Sequence, residues 1–88
     1  MSMQTLIEQT LREALAPEHL AVIDESHLHA GHAGWKQGGE THYRVEITSP
    51  AFAGKTRIAR HRLVNEALQE AFARGLHALA VKARAPGE

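Results

Sequence analysis

The run from His42 to Ser49 constrains this chain most. Tyr43, Val45 and Ile47 alternate there with Arg44, Glu46 and Thr48. A strict period of two marks a half-buried strand, with one face on a core and the other in water. The rest of the chain must therefore supply cover for the apolar face. Upstream, Met3, Leu6, Ile7, Leu11, Ala14 and Leu15 recur at helical spacing, which predicts a helix over Met3–Leu15 that Pro17 ends. His19–Glu25, with Leu20 to Ile23 at its centre, reads as a strand. Downstream, Ser49-Pro50 stops the alternating strand, and Ala51–Gly54 reads as a connector or single 3₁₀ turn carrying Phe52. Thr56 is a suitable N-cap for a second helix running to about Arg74, with Gly75 as its C′ residue. Val64, Ala67, Leu68, Ala71 and Phe72 form that helix's apolar stripe. A last strand over Leu76–Ala83 places His77, Leu79 and Val81 on one face and Ala78, Ala80 and Lys82 on the other. The tail Arg84–Glu88, with Pro86 and Gly87, is expected to fray.

The order is α-β-β-α-β. The first two strands can pair antiparallel, and a helix crossing between the second and third favours a parallel pair. The expectation is a single domain over 1–88 of two-layer α+β class, with a three-stranded mixed sheet and helices on one face. A chain of 88 residues buries only about 60–65% of its unfolded surface. Its core must be mainly aliphatic, since Trp35, Tyr43, Phe52 and Phe72 are its aromatic residues.

Charge and composition remove several function classes. Ten Lys and Arg balance ten Asp and Glu, so no global charge drives the chain to nucleic acid or membrane, and any basic site must be local. There is no cysteine, hence no disulfide, thiol nucleophile or self-contained iron–sulfur site. No apolar run approaches a membrane span, and the start lacks the pattern of a signal peptide. A cytoplasmic protein fits these features. No serine has a His and Asp at motif spacing, and there is no P-loop or GxGxxG, so an enzyme is not expected.

Three features could carry binding chemistry. His27, His29, His32 and His42 fall within Asp24–Tyr43, interleaved with Gly31, Gly34, Trp35, Gly38 and Gly39. Asp24, Glu25 and Glu40 lie nearby, but neither HExxH nor CxxC is present. A glycine-rich loop can wrap a metal without preorganising its ligands, so a solvated loop is the default and a loop-only metal site the sharper alternative. His77 differs because a strand places it. It reads as a core-edge residue or as one ligand of a site completed by a partner. Lastly, Lys55, Arg57, Arg60, His61 and Arg62 crowd the start of the second helix, the end least suited to cations. Either internal carboxylates such as Glu46 or Asp24 pair with them, or an external anion uses both the cations and the free N–H groups. On a helical wheel Arg60 and His61 face the apolar stripe and Arg62 points out.

Glu40-Thr41-His42-Tyr43, the Phe52-x-Gly54-Lys55 turn, the Arg60-His61-Arg62 triplet and His77-Ala78-Leu79, in that order and spacing, closely resemble the BolA family. The resemblance runs from the first helix to the tail. It implies a fold like that of class II KH domains, though the chain has no GxxG loop after its second strand, so KH-style RNA clamping is not implied. It further implies a partnership with a monothiol glutaredoxin and a shared, bridging [2Fe-2S] cluster in iron homeostasis. His77 then corresponds to the ligand at the head of the last strand. His32 is the first choice for the second ligand, and His29 the next. The partner would supply its cysteine and a glutathione thiolate, and the isolated chain would bind no cluster. The other role the resemblance implies is a DNA-binding, stress-linked transcriptional regulator, with Lys55, Arg57, Arg60 and Arg62 on phosphates. A blander adaptor would contact the glutaredoxin through Arg60, His61 and Arg62 and the neighbouring strand, without a metal. Alone, the chain is expected to be a monomer or a weak homodimer.

Overall fold

The computed structural model describes residues 2–25 and 42–88. Its elements are α1 (Met3–Leu15), β1 (His19–Asp24), β2 (His42–Thr48), a 3₁₀ turn (Pro50–Phe52), α2 (Arg57–Ala67), α3 (Gln69–Ala73) and β3 (Ala78–Arg84). The sheet order is β1-β2-β3, with β1 antiparallel and β3 parallel to β2. This is the mixed two-layer α+β architecture expected from the sequence.

The alternation in β2 decides which way the sheet faces. Tyr43, Val45 and Ile47 are buried, and their register partners Val22 and Leu20 in β1 and Leu79, Val81 and Ala83 in β3 line the same side. Helix α1 covers that side with Met3, Leu6, Ile7, Leu11 and Leu15, whereas Ala14, expected on its apolar face, is exposed. Val64, Leu68 and Ala71 bring α2 and α3 onto the same core. Phe52 has no exposed surface and fills the junction below the 3₁₀ turn. Each such aliphatic or aromatic side chain contributes roughly 1.5–3 kcal/mol by leaving water.

The elements start and stop for local reasons. Ser2 and Thr56 accept from the N–H groups of Thr5 and Ala59, each at 3.1 Å, satisfying donors that open α1 and α2. Helix α1 ends at Ala16, which takes a left-handed φ of 43° so that its N–H reaches the Arg12 carbonyl. Ser49 is fully buried and joins three elements. Its hydroxyl donates to the Leu15 carbonyl at the end of α1 and accepts from Ala51 N–H, and its own N–H donates to the Arg84 carbonyl at 2.9 Å.

Three expectations are corrected. The second helix is interrupted at Leu68, whose N–H is shared between the Val64 and Asn65 carbonyls. The stripe Val64, Ala67, Leu68, Ala71, Phe72 runs through this break, so periodicity alone gave no sign of it. Gly75 does end the pair, with φ 125° and a Leu76 N–H to Ala71 carbonyl bond of 3.0 Å. The last strand begins at Ala78 rather than Leu76 and extends to Arg84. The tail is not frayed, because Ala85 is buried and Glu88 folds back to accept from its N–H.

Candidate functional site

The chemistry-bearing residues gather at the two ends of β3, separated by about 20 Å of strand at ~3.3 Å per residue. At the head of β3, the register sets His42 beside Ala78. His42 lies on the sheet face away from the helices, yet it is only 6% exposed. Its ring stands 5.3 Å from that of His77, tilted by 51°. His77 precedes the strand and is exposed, so it does not share the half-buried state of Leu79 and Val81 that the alternation assigned to it. Glu25 N–H donates to the His42 carbonyl at 2.8 Å, so the connection over 26–41 leaves and rejoins the sheet at this same end. Glu25 also holds Arg44 at 3.0 Å, and that hydrogen bond, reinforced by the opposite charge, raises the guanidinium pKa. A shallow pocket of about 190 Å³ lined by Glu25, His42, Tyr43 and Ala78 to Ala80 opens beside it.

His27, His29 and His32 lie outside the described residues. Among the described residues no three His, Asp or Glu side chains gather closely enough to hold a metal ion. His77 itself is exposed at this end of the sheet, beside the His42 ring.

At the other end of β3 an open groove of about 510 Å³ runs between the start of α2 and the strand. Lys55, Arg57, Arg60 and His61 line it from the helix side, and Val81, Lys82, Ala83 and Arg84 from the strand. The structure thus brings together four of the predicted residues, while Arg62 is exposed and outside the lining. Lys82 and Arg84 were not singled out from sequence. The parallel register is the signal that would have found them, since β3 ends beside Thr48, where the chain turns toward α2.

Arg60 is the organising side chain of the groove and is only 13% exposed. It donates to the carbonyls of Lys55 at 3.0 Å and Ala83 at 3.3 Å, and its fork grips both carboxylate oxygens of Glu88, one at 2.6 Å. The internal partner of this cation is thus Glu88, neither Glu46 nor Asp24 as weighed from sequence. The Arg60 hydrogen bond, followed by that from Ala85 N–H, draws the Glu88 carboxyl down to about 2. The same pairing raises the Arg60 pKa. No helix among the described residues is long and apolar enough to cross a membrane.

Comparison with known proteins identifies the family and the fold. The family described as BolA-like protein matches residues 11–88. A Sinorhizobium sp relative, "Uncharacterized protein in cobS 5'region", is 54% identical over all of this chain and 96% of its own length. The "DNA-binding transcriptional regulator BolA" of Vibrio cholerae is 42% identical, over 89% of this chain and 70% of its own. The chain spans only 23% of the Arabidopsis thaliana "SufE-like protein 1, chloroplastic/mitochondrial", at 43% identity. The solved BolA domain of SufE1 from that plant superposes with a TM-score of 0.87 at 42% identity, covering 98% of this chain and 94% of the domain.

Proposed function

The chain belongs to the family of BolA-like proteins, and on that premise we propose that it is a non-enzymatic adaptor that binds a monothiol glutaredoxin and co-ligates a bridging [2Fe-2S] cluster. The observation that carries this reading is the exposed His77 imidazole, set against His42 where the connection bearing His29 and His32 leaves and rejoins the sheet. His77 is one ligand, and His32, with His29 as the alternative, is the second. The chain has no thiolate to offer, so the partner's cysteine and a glutathione thiolate complete the set. When bound, such a cluster supplies electron- and cluster-transfer chemistry, at a potential raised by exchanging thiolate for imidazole. The chain's own part is positional. His77 stands immediately before β3 with its ring against that of His42, and the Glu25–His42 hydrogen bond joins the two ends of the connection beside it.

Co-expression with a monothiol glutaredoxin, followed by an absorbance spectrum of the complex purified anaerobically with iron and glutathione, tests the proposal. A coloured complex is expected, and His77→Ala should change its spectrum more than His27→Ala. A colourless complex would overturn it, and equal effects of the two substitutions would overturn the ligand assignment.

A second reading, DNA binding by Lys55, Arg57, Arg60 and Arg62, is favoured by the basic groove and by the name of the Vibrio relative. It is the weaker one, since Glu88 already occupies Arg60 and Arg62 stands outside the groove. If it holds, binding falls steeply with salt and drops on Arg62→Ala while His77→Ala leaves it unchanged.

A further inference from the structure

Successive residues of a strand turn their N–H and C=O groups alternately to the two sides. In β3, the Arg84 carbonyl points to β2 and meets Ser49 N–H, whereas the Ala83 carbonyl points the other way and meets Arg60. Ala85 N–H continues that outer row and meets the Glu88 carboxylate at 3.1 Å. The ion pair Arg60–Glu88 therefore offers the edge one donor and one acceptor, just where an added strand would place its own N–H and C=O. Val81, two residues before Ala83, belongs to the same outer row and lies in the groove. Among the described residues only β2 pairs with β3, so among them this edge is open along the rest of its length.

The groove beside that edge is strongly cationic. Lys55, Arg57, Arg60, Lys82 and Arg84 converge on it with His61. Glu88 pairs with Arg60 and lies within electrostatic reach of Arg84, and Glu46 is the register partner of Lys82, so the cations of the groove still outnumber the carboxylates beside it. An edge with unpaired backbone groups selects an extended peptide over a nucleic acid, and its basic wall selects an acidic one.

We propose that the groove between the start of α2 and the free edge of β3 is a docking site for an extended acidic protein segment that adds as a strand to β3, and that Glu88 is its built-in competitor. An incoming carboxylate replaces Glu88 on Arg60, and the segment's backbone pairs with Val81 and Ala83. The tail that bears Glu88 opens as the segment enters. This surface lies at the far end of β3 from His77, so the inference stands whether or not the cluster reading holds.

The test uses the full chain, isotopically labelled for NMR, and three probes. These are an N-acetylated heptapeptide alternating Glu and Val, its Lys–Val counterpart, and an eight-residue oligothymidylate. The acidic peptide is expected to shift the amides of Leu79, Val81 and Ala83 and to slow hydrogen exchange at Val81. Glu88→Gln should tighten its binding on the order of tenfold, because a charge-assisted competitor is removed. Lys82→Glu should weaken it severalfold, and the Lys–Val peptide should not bind. Unchanged exchange at Val81, or no gain with Glu88→Gln, would overturn the proposal. Tighter binding of the oligothymidylate than of the acidic peptide would overturn it in favour of a nucleic-acid surface.

Discussion

Glu88 and Arg60 are separated by most of the second half of the chain, and parallel pairing brings them together. β3 ends beside Thr48, next to the turn that leads into α2, so the residues after β3 arrive at the helix start. A cation at a helix N-terminus is unfavourable by about 0.3–1 kcal/mol at the surface, and the Glu88 carboxylate offsets it. The pairing has a pH signature. With the folded pKa held near 2 against an ordinary 4.5, the ion pair's contribution is complete above about pH 4.5 and is lost as pH falls toward 2. An NMR titration of the Glu88 side-chain carboxyl carbon should therefore show a midpoint near 2. A midpoint at the ordinary value would mean that the clasp does not persist in solution. Arg60 itself was visible in sequence as a misplaced cation. Its partner was not, because Pro86 and Gly87 made the tail look like a frayed end.

The elements were legible wherever a periodic apolar pattern met a stop signal. Helix α1 matches its expected bounds because Leu6, Ile7, Leu11 and Leu15 mark one face and Pro17 follows. Its C-cap conformation was not legible. Ala16 sits at φ 43°, where an L side chain is strained by roughly 1–2 kcal/mol. Ala16→Gly should accordingly stabilise the protein by about 1 kcal/mol, partly offset by glycine's greater entropy loss. For a domain of this size that is a rise in Tm of about 4–8 °C per kcal/mol, readable by calorimetry. A fall in Tm would mean that the cap has another geometry. The break at Leu68 and the late start of β3 were missed for a related reason. Both keep the apolar period intact and change only the backbone path, so His77 leaves the strand while its sequence pattern still includes it.

For the molecule as a whole, one sheet covered on one side leaves little redundancy in the core. Phe52 has no exposed surface and bridges the turn after β2 to the helices. Phe52→Ala should cost about 3–5 kcal/mol, a large part of the roughly 5–15 kcal/mol typical of a domain. Urea unfolding would show it as a lower midpoint at unchanged slope, and a loss under about 1 kcal/mol would mean that the core collapses around the gap.

The fold class followed from sequence alone because periodicity is a local property. A two-residue period in β2, a helical period on either side and the crossover rule leave few ways to cover one sheet face. Family membership was also legible, through the order and spacing of Phe52-x-Gly54-Lys55, Arg60-His61-Arg62 and His77-Ala78-Leu79. What only the tertiary structure decided depends on register and chain reversal. The His42–His77 ring contact, the joining of Lys82 and Arg84 to the cations of α2, and the return of Glu88 to Arg60 all arise from β3 lying parallel to β2. A pattern of single residues fixes which face each one takes. It does not fix which distant residue that face will meet, because strand register is set by packing across the sheet.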